Sequence, residues 1–456
     1  VPFVEYRLAD APARVTIGGR AFENGKDVYI GASSTPGKQV MEADVVFAGF
    51  GLDMPGQGFD DYAGLDVKGK MVAVISGVPE GTPSELGAHL NAQKAKMAEA
   101  RGAIGLVTIR SRADTARRPW ERLVQNVGSP SLTWVETDGK PFASAPGIRA
   151  GATLGTPAAE ALFAGAPRSL SAVLDAAGKR GARVKGFALK PRLKLERESS
   201  TRPLASPNVV AVLPGSDPAL AGEYVVLMAH LDHEGTDPTK DGDTIYNGAM
   251  DNATGIATML EVARAMANAP ERPRRPILFA AVTAEEDGLL GSQYLAKHPL
   301  VGNGKVVGVV NLDMPVLLYD FQDVIAFGAE HSTLGPIVQR AAAGMNVALS
   351  PDPLPHEGLF TRSDHYRFVQ EGVPSVFLMT GFANGGKEKF THFLSTDYHK
   401  VSDDLSLPID WKAGAKFARI NYLIAREIAD ADEAPRWYAK DFFGDTFAPG
   451  AVKAAR

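Results

Sequence analysis

Five short segments in the second half of the chain put a potential metal ligand at, or just beyond, the point where a strand should stop. They are VVLMAHLDHEG (225–235), NGAMDNATG (247–255), LFAAVTAEEDGLLGS (278–292), VVGVVNLDMP (306–315) and STDYHKVSDD (395–404). In order they supply His230, Asp251, Glu286, Asp313 and His399. Two imidazoles and three carboxylates suit two zinc ions that share one bridging carboxylate, and such a pair activates water for hydrolysis. The chemistry expected of the chain is that of a metallohydrolase. A lone HxD or Glu-Glu pair arises often by chance, so the signal is the ordered set of five.

Each residue also has a plainer reading. Asp251 precedes a helical pattern at 252–268 and alone would read as its N-cap. Asp313 alone would read as a turn residue at a strand end. Glu285 and Glu286 are adjacent at the end of an apolar strand, where repulsion and desolvation need a cation to offset them. One of the two can bind metal while the other acts as general base toward water. Asp232, two residues after His230, is expected to hold that imidazole, and Asp403 that of His399. His89, His298, His331 and His356 read as surface or local packing residues. His233 and His392 are weaker substitutes for the ligands, and His365 at a helix start is expected beside the pocket.

In an open α/β sheet, ligands gather at the carboxyl ends of the strands. The elements expected around the five segments obey that rule. EYVVLMA (223–229) reads as a buried strand leading into His230. Ile256, Met259, Leu260, Ala263 and Met266 share one face of the 252–268 helix. Further strands are expected at 276–283, 306–312, 323–327 and 374–379, with helices at 288–297, 333–344, 363–371 and 411–429. Such alternation implies a mainly parallel sheet with helices on both faces, an α/β domain. An aromatic tail at 431–456 is expected to pack on that domain.

The first two hundred residues read differently. DVVFAGF (44–50), MVAVISG (71–77) and AIGLVTI (103–109) alternate with turn-rich stretches around one helix at 84–101, which suggests a smaller β-rich domain. The basic stretch 178–208 ends in ESSTRPLASPN (198–208), which reads as a linker.

A chain of 456 residues exceeds one hydrophobic core, so two domains are expected. The formal net charge of −5 argues against a nucleic-acid partner, and no apolar run is long enough to cross a bilayer. With no cysteine, disulfides, thiolate zinc sites and a cysteine nucleophile are excluded. The chain begins at Val1 without Met, which reads as a removed signal peptide or a trimmed start. A periplasmic or secreted location is the expectation.

The order HxD, Asp in GAMDNATG, Glu-Glu, NLD and Tyr-His resembles the two-zinc aminopeptidase family that also includes glutamate carboxypeptidase and transferrin receptor. The likeness covers about 205–430, with every metal position filled. It implies that His230 and Asp313 bind one zinc, Glu286 and His399 the other, and that Asp251 bridges. It implies Glu285 as general base and acid, Asp232 as the partner of His230, Tyr398 as an oxyanion donor and Arg362 as a substrate contact. VFAGFGLDMPGQGFDDYAGLDVKGKMVAVISG (46–77) resembles the protease-associated domain often inserted in this family. The expected plan is a lead segment 1–40, a protease-associated domain 41–200, a zinc peptidase domain 201–430 and the tail 431–456. The lead segment is too short for the helices that usually open the peptidase domain, so part of that edge is expected to be missing.

Three functions follow as expectations, each with a peptide as partner. The first is an aminopeptidase, favoured by the domain pairing. The second is a carboxypeptidase or dipeptidase, which needs cations such as Arg362 for a terminal carboxylate. The third is a receptor-like protein without activity, against which the complete ligand set argues. A single-zinc glutaminyl cyclase fits less well because both half-sites are intact.

Overall fold

In the computed structural model, which describes all 456 residues, the chain divides into a unit of residues 2–205 and a unit of residues 206–456 that also takes in Val1.

In the first unit, one sheet is antiparallel. Its strands are β1 (Pro2–Leu8), β2 (Arg14–Ile17), β3 (Arg20–Glu23), β5 (Gly37–Ala43), β11 (Ser131–Trp134) and β14 (Leu193–Ala205). The second sheet has a parallel centre of β6 (Val45–Phe47), β9 (Met71–Ile75), β10 (Gly105–Ile109) and β12 (Ala150–Leu154). Its antiparallel edges are β4 (Val28–Tyr29) and β13 (Phe187–Ala188), and β7 (Asp53–Met54) pairs with β8 (Phe59–Asp60) alone. The expected helix at 84–101 is two, α1 (Ser84–Ala92) and α2 (Lys94–Ala100), separated at Gln93. Four more follow: α3 (Arg112–Arg117), α4 (Trp120–Val124), α5 (Thr156–Leu162) and α6 (Leu170–Ala177).

Two expectations are corrected by this architecture. Residues 1–40 are not a separate lead segment: they supply β1 to β4 of this unit. Nor is 198–208 a linker over most of its length, because β14 runs to Ala205 and pairs with β1, β2 and β5. Its alternation is disguised by charge. Leu193 and Leu195 are buried, while Lys194 and Glu196 point outward.

The second unit is a seven-stranded sheet in the order β15-β17-β16-β18-β21-β19-β20. Its strands are β15 (Val209–Leu213), β16 (Glu223–His230), β17 (Ile277–Val282), β18 (Lys305–Leu312), β19 (Asp323–Phe327), β20 (Ala348–Ser350) and β21 (Ser375–Thr380). β17, β16, β18 and β21 run parallel. Residues of β16 alternate between two buried cores. Val225, Leu227 and Ala229 join the core under α7 (Thr254–Ala267), α9 (Leu334–Ala343) and α12 (Trp411–Asp430). Val226 and Met228 join the one holding Leu295 of α8 (Leu290–Lys297) and Phe368 of α10 (His365–Gln370). Helices thus cover both faces, as expected. α11 (Gly386–Thr396) is a helix beyond those expected, and the tail ends in α13 (Phe442–Phe447), with Trp437 and Phe443 in the main core. No helix of the chain is long and apolar enough to cross a membrane.

Candidate metal centre

The five segments converge at the carboxyl ends of the parallel strands. His230 is the last residue of β16, Asp313 follows β18 directly, and Glu285 and Glu286 lie in the turn after β17. Asp251 sits in the tight turn Ala249–Ala253 ahead of α7, and His399 in the loop between α11 and α12. Asp251 is therefore not the N-cap of α7; Ala253 holds that position without a side-chain bond. Backbone strain concentrates here. Ala284, Met314 and His399 all adopt positive φ (55°, 44° and 56°), which costs energy in residues with a Cβ and is characteristic of functional sites.

The ligand geometry is that of two half-sites sharing one carboxylate. His230 Nε2 lies 3.2 Å from Asp251 Oδ1 and 3.3 Å from Asp313 Oδ1. His399 Nε2 lies 3.2 Å from Asp251 Oδ2 and 3.3 Å from Glu286 Oε2. Donors spaced at about 3.3 Å are what a tetrahedral ion with bonds of about 2.0–2.1 Å requires. The set therefore fits zinc. His399 Nε2 is buried with no properly directed hydrogen-bond partner, although two carboxylates flank it, which is how a metal-binding nitrogen should sit. Burial disfavours charge on His399, yet Asp251, Glu234 and Glu286 outweigh it and push its pKa up to about 12. His230 is raised likewise: burial opposes its charge, and Asp251 and Asp313 overcome it. Burial alone would raise Asp251, but its bonds to the two imidazoles pull it below the usual carboxylate range. Without a cation, protons must fill the space between these acids; metal replaces them.

Other residues hold the ligands. His230 Nδ1 is 3.1 Å from the main-chain oxygen of Asp232, closer than the 3.9 Å to its carboxylate. The Asp232 carboxylate instead accepts the Glu286 amide at 3.2 Å. Asp403 does not orient His399, which corrects the sequence expectation. Its carboxylate accepts the Met250 and Asp251 amides at 2.8 and 3.1 Å, fixing the bridging turn. Glu234 performs the role expected of Asp403, at 2.9 Å from His399 Nδ1. Sequence reading missed Ser363 as well. It donates to Asp313 Oδ2 at 2.6 Å and receives a bond from Asn311 at 2.7 Å. Asn252 is a third omission: it bonds Leu312 O, and the Gly255 and Met314 amides, so it ties the Asp251 turn to the Asp313 loop. The DNATG and TRSDH segments contain Asn252 and Ser363, but nothing in their spacing marks these roles. His233 approaches Glu286 at 2.9 Å and so stands beside the second half-site.

A cavity of about 550 Å³ opens on Asp251, Glu285, Glu286 and Asp313. Leu354, Leu359, Phe377, Met379, Phe382 and Phe390 give it apolar walls. Burial, and then Asp313, push the Glu285 carboxyl well above its ordinary range, so it holds a proton readily. Tyr398 lines the cavity with its ring 3.8 Å from that of His399. Burial and the surrounding acids raise its pKa, which keeps the hydroxyl a proton donor. Arg362 also lines the cavity, half exposed and 3.4 Å from Glu357. His365 does not: it is wholly buried against Phe360 and Phe377. His331 and His89 are buried too, and His331 pairs with Asp441 of the tail at 2.6 Å.

An open, mainly parallel α/β sheet with such a cluster at its carboxyl edge defines the class of metal-dependent hydrolase folds. Residues 208–425, most of the unit that carries the site, match the model of peptidase family M28. A probable zinc metalloprotease of Leptosphaeria maculans is 28% identical over 54% of this chain and 64% of its own length. Leupeptin-inactivating enzyme 1 of Streptomyces exfoliatus is 33% identical over 38% of this chain and 36% of its own length. The chain thus spans under two thirds of each. An aminopeptidase from Aneurinibacillus sp. strain AM-1 shares the fold, with a TM-score of 0.50, 19% identity, and 94% of this chain and 82% of that one covered.

Proposed function

We propose that the chain is a two-zinc aminopeptidase that releases residues with apolar side chains from the amino ends of peptides. One observation carries this reading: Asp251 is shared between two imidazoles, each with a second carboxylate of its own. His230 and Asp313 would hold one ion and Glu286 and His399 the other, with Asp251 available to both. Bound there, the ions would supply Lewis acidity toward water and a carbonyl oxygen. Glu285 takes the proton of the attacking water and returns it to the leaving amine, a task suited to its raised proton affinity. The Tyr398 hydroxyl donates to the oxygen on which charge develops. The apolar cavity wall takes the side chain next to the cleaved bond.

The test is a leucine-headed peptide with a free amino end beside its N-acetylated twin. The free form alone should be cleaved, from its amino end, and a chelator should stop the reaction. Equal cleavage, or release from the carboxyl end, would favour a carboxypeptidase. Arg362 and Lys387 on the cavity wall could then meet the terminal carboxylate.

A further inference from the structure

We propose that the 2–205 unit carries a second ligand site, for a carboxylate borne next to an apolar side chain, as at the carboxyl end of a peptide. The parallel strands β10 and β12 end side by side at Ile109 and Leu154. Beyond those ends lies a cavity of about 500 Å³, lined by Ile109, Arg110, Arg112, Trp120, Leu154 and Leu170 among others. The carboxyl edge of adjacent parallel strands is where open α/β sheets bind ligands, and the volume is that of a small-molecule site.

Its chemistry has two parts. Ile109, Leu154 and Leu170 are buried and make an apolar floor, with the Trp120 indole fixed beside it by a bond from Nε1 to Lys26 O at 2.7 Å. The other part is cationic. The Arg110 side chain is only 7% exposed, and its Nε and Nη2 bond Asp114 and main-chain oxygens. Its Nη1 makes no bond within the protein, although the residue lines the cavity. Arg112 stands at the rim, held by Asp175 at 2.6 Å. The segment 110–122 holds Arg110, Arg112, Arg117, Arg118 and Arg122 against only Asp114 and Glu121, in a chain whose net charge is −5. Because Arg110 and Arg112, the arginines that line the cavity, are each already paired with an aspartate, the donor capacity left to them suits a singly charged carboxylate better than a phosphate. The apolar floor then asks for a side chain on the neighbouring carbon. The choice of a peptide ligand, though not the existence of the site, rests on the peptidase reading.

The test is calorimetric titration of the full chain carrying Glu285→Gln, so that no turnover intervenes. The ligands are N-acetyl-leucyl-phenylalanine, its carboxamide and free phenylalanine. The acid should bind with a Kd below about 1 mM, and the amide at least about tenfold more weakly. Arg112→Gln and Ala116→Trp, which change exposed residues at the cavity, should abolish that difference. The same two changes in an otherwise unaltered chain should leave turnover of a leucyl anilide unchanged. If free phenylalanine matches the dipeptide acid and is also lost in Ala116→Trp, the occupant is a released amino acid; if it does not, the occupant is a peptide end. Acid and amide binding alike, or acid binding that survives Ala116→Trp, would overturn the proposal. Titration needs no catalysis, so its outcome stands even where a peptidase assay fails.

Discussion

His399 shows how much one side chain depends on its neighbours. Its Nδ1 faces Glu234 at 2.9 Å, which turns Nε2 toward Asp251 and Glu286. Glu234→Gln should weaken zinc at that half-site by roughly tenfold, read by competition with a chromophoric chelator, and leave the His230 half-site intact. Glu285 binds neither imidazole, so Glu285→Gln should keep bound zinc by elemental analysis while turnover falls by at least about a hundredfold. Wild-type turnover in that variant would remove Glu285 from the mechanism. At this scale His230, Glu286 and Asp313 were legible because each ends or follows an apolar strand, and Asp251 and His399 because they complete the ordered set. Their supports were not. Glu234, Ser363 and Asn252 act across loops far apart in sequence, and adjacency led instead to Asp403, which serves a different loop.

The elements that carry the ligands are joined by small buried bonds. Asn252 and Asp403 tie the Asp251 turn to the Asp313 and His399 loops. Gly255, in the first turn of α7, leaves room for this. A Cβ there would come within 2.2 Å of Asn252 Oδ1 and 2.6 Å of Leu312 O. Gly255→Ala should therefore displace Asn252, lower the melting temperature and cut activity at least about tenfold. A variant with full activity would show that the Asn252 link is dispensable. The central strands and most helices of the 206–456 unit were legible from periodicity within a residue or two, because buried strands are continuously apolar, whereas the edge strands β15 and β20 were not. β14 was not, since its outward face is charged, and α11 was hidden in a stretch rich in glycine and lysine.

The molecule joins two units, and each hides a histidine. Burial pulls His89 of the first down to about 4 and His365 of the second down to about 3. Both fold as neutral rings, while the unfolded chain binds their protons below about pH 6.5. Stability contributed by this difference is present above that pH and is lost as pH falls toward 4. The melting temperature should drop over this window, and His89→Gln should flatten the part that belongs to the first unit. An unchanged slope would mean that His89 is not a source of it. Two domains were legible from length and from the change of pattern near residue 200. The boundary after Ala205 was not, since β14 carries the first unit's pairing through most of the apparent linker.

The most direct test of the metal centre as the seat of peptide hydrolysis is a zinc titration of the chelator-stripped protein, read by cleavage of a free leucyl peptide. Activity should be absent at first and return fully with about two equivalents of zinc, and Asp251→Ala should not recover. Full cleavage by the stripped protein, or wild-type recovery in Asp251→Ala, would contradict the account.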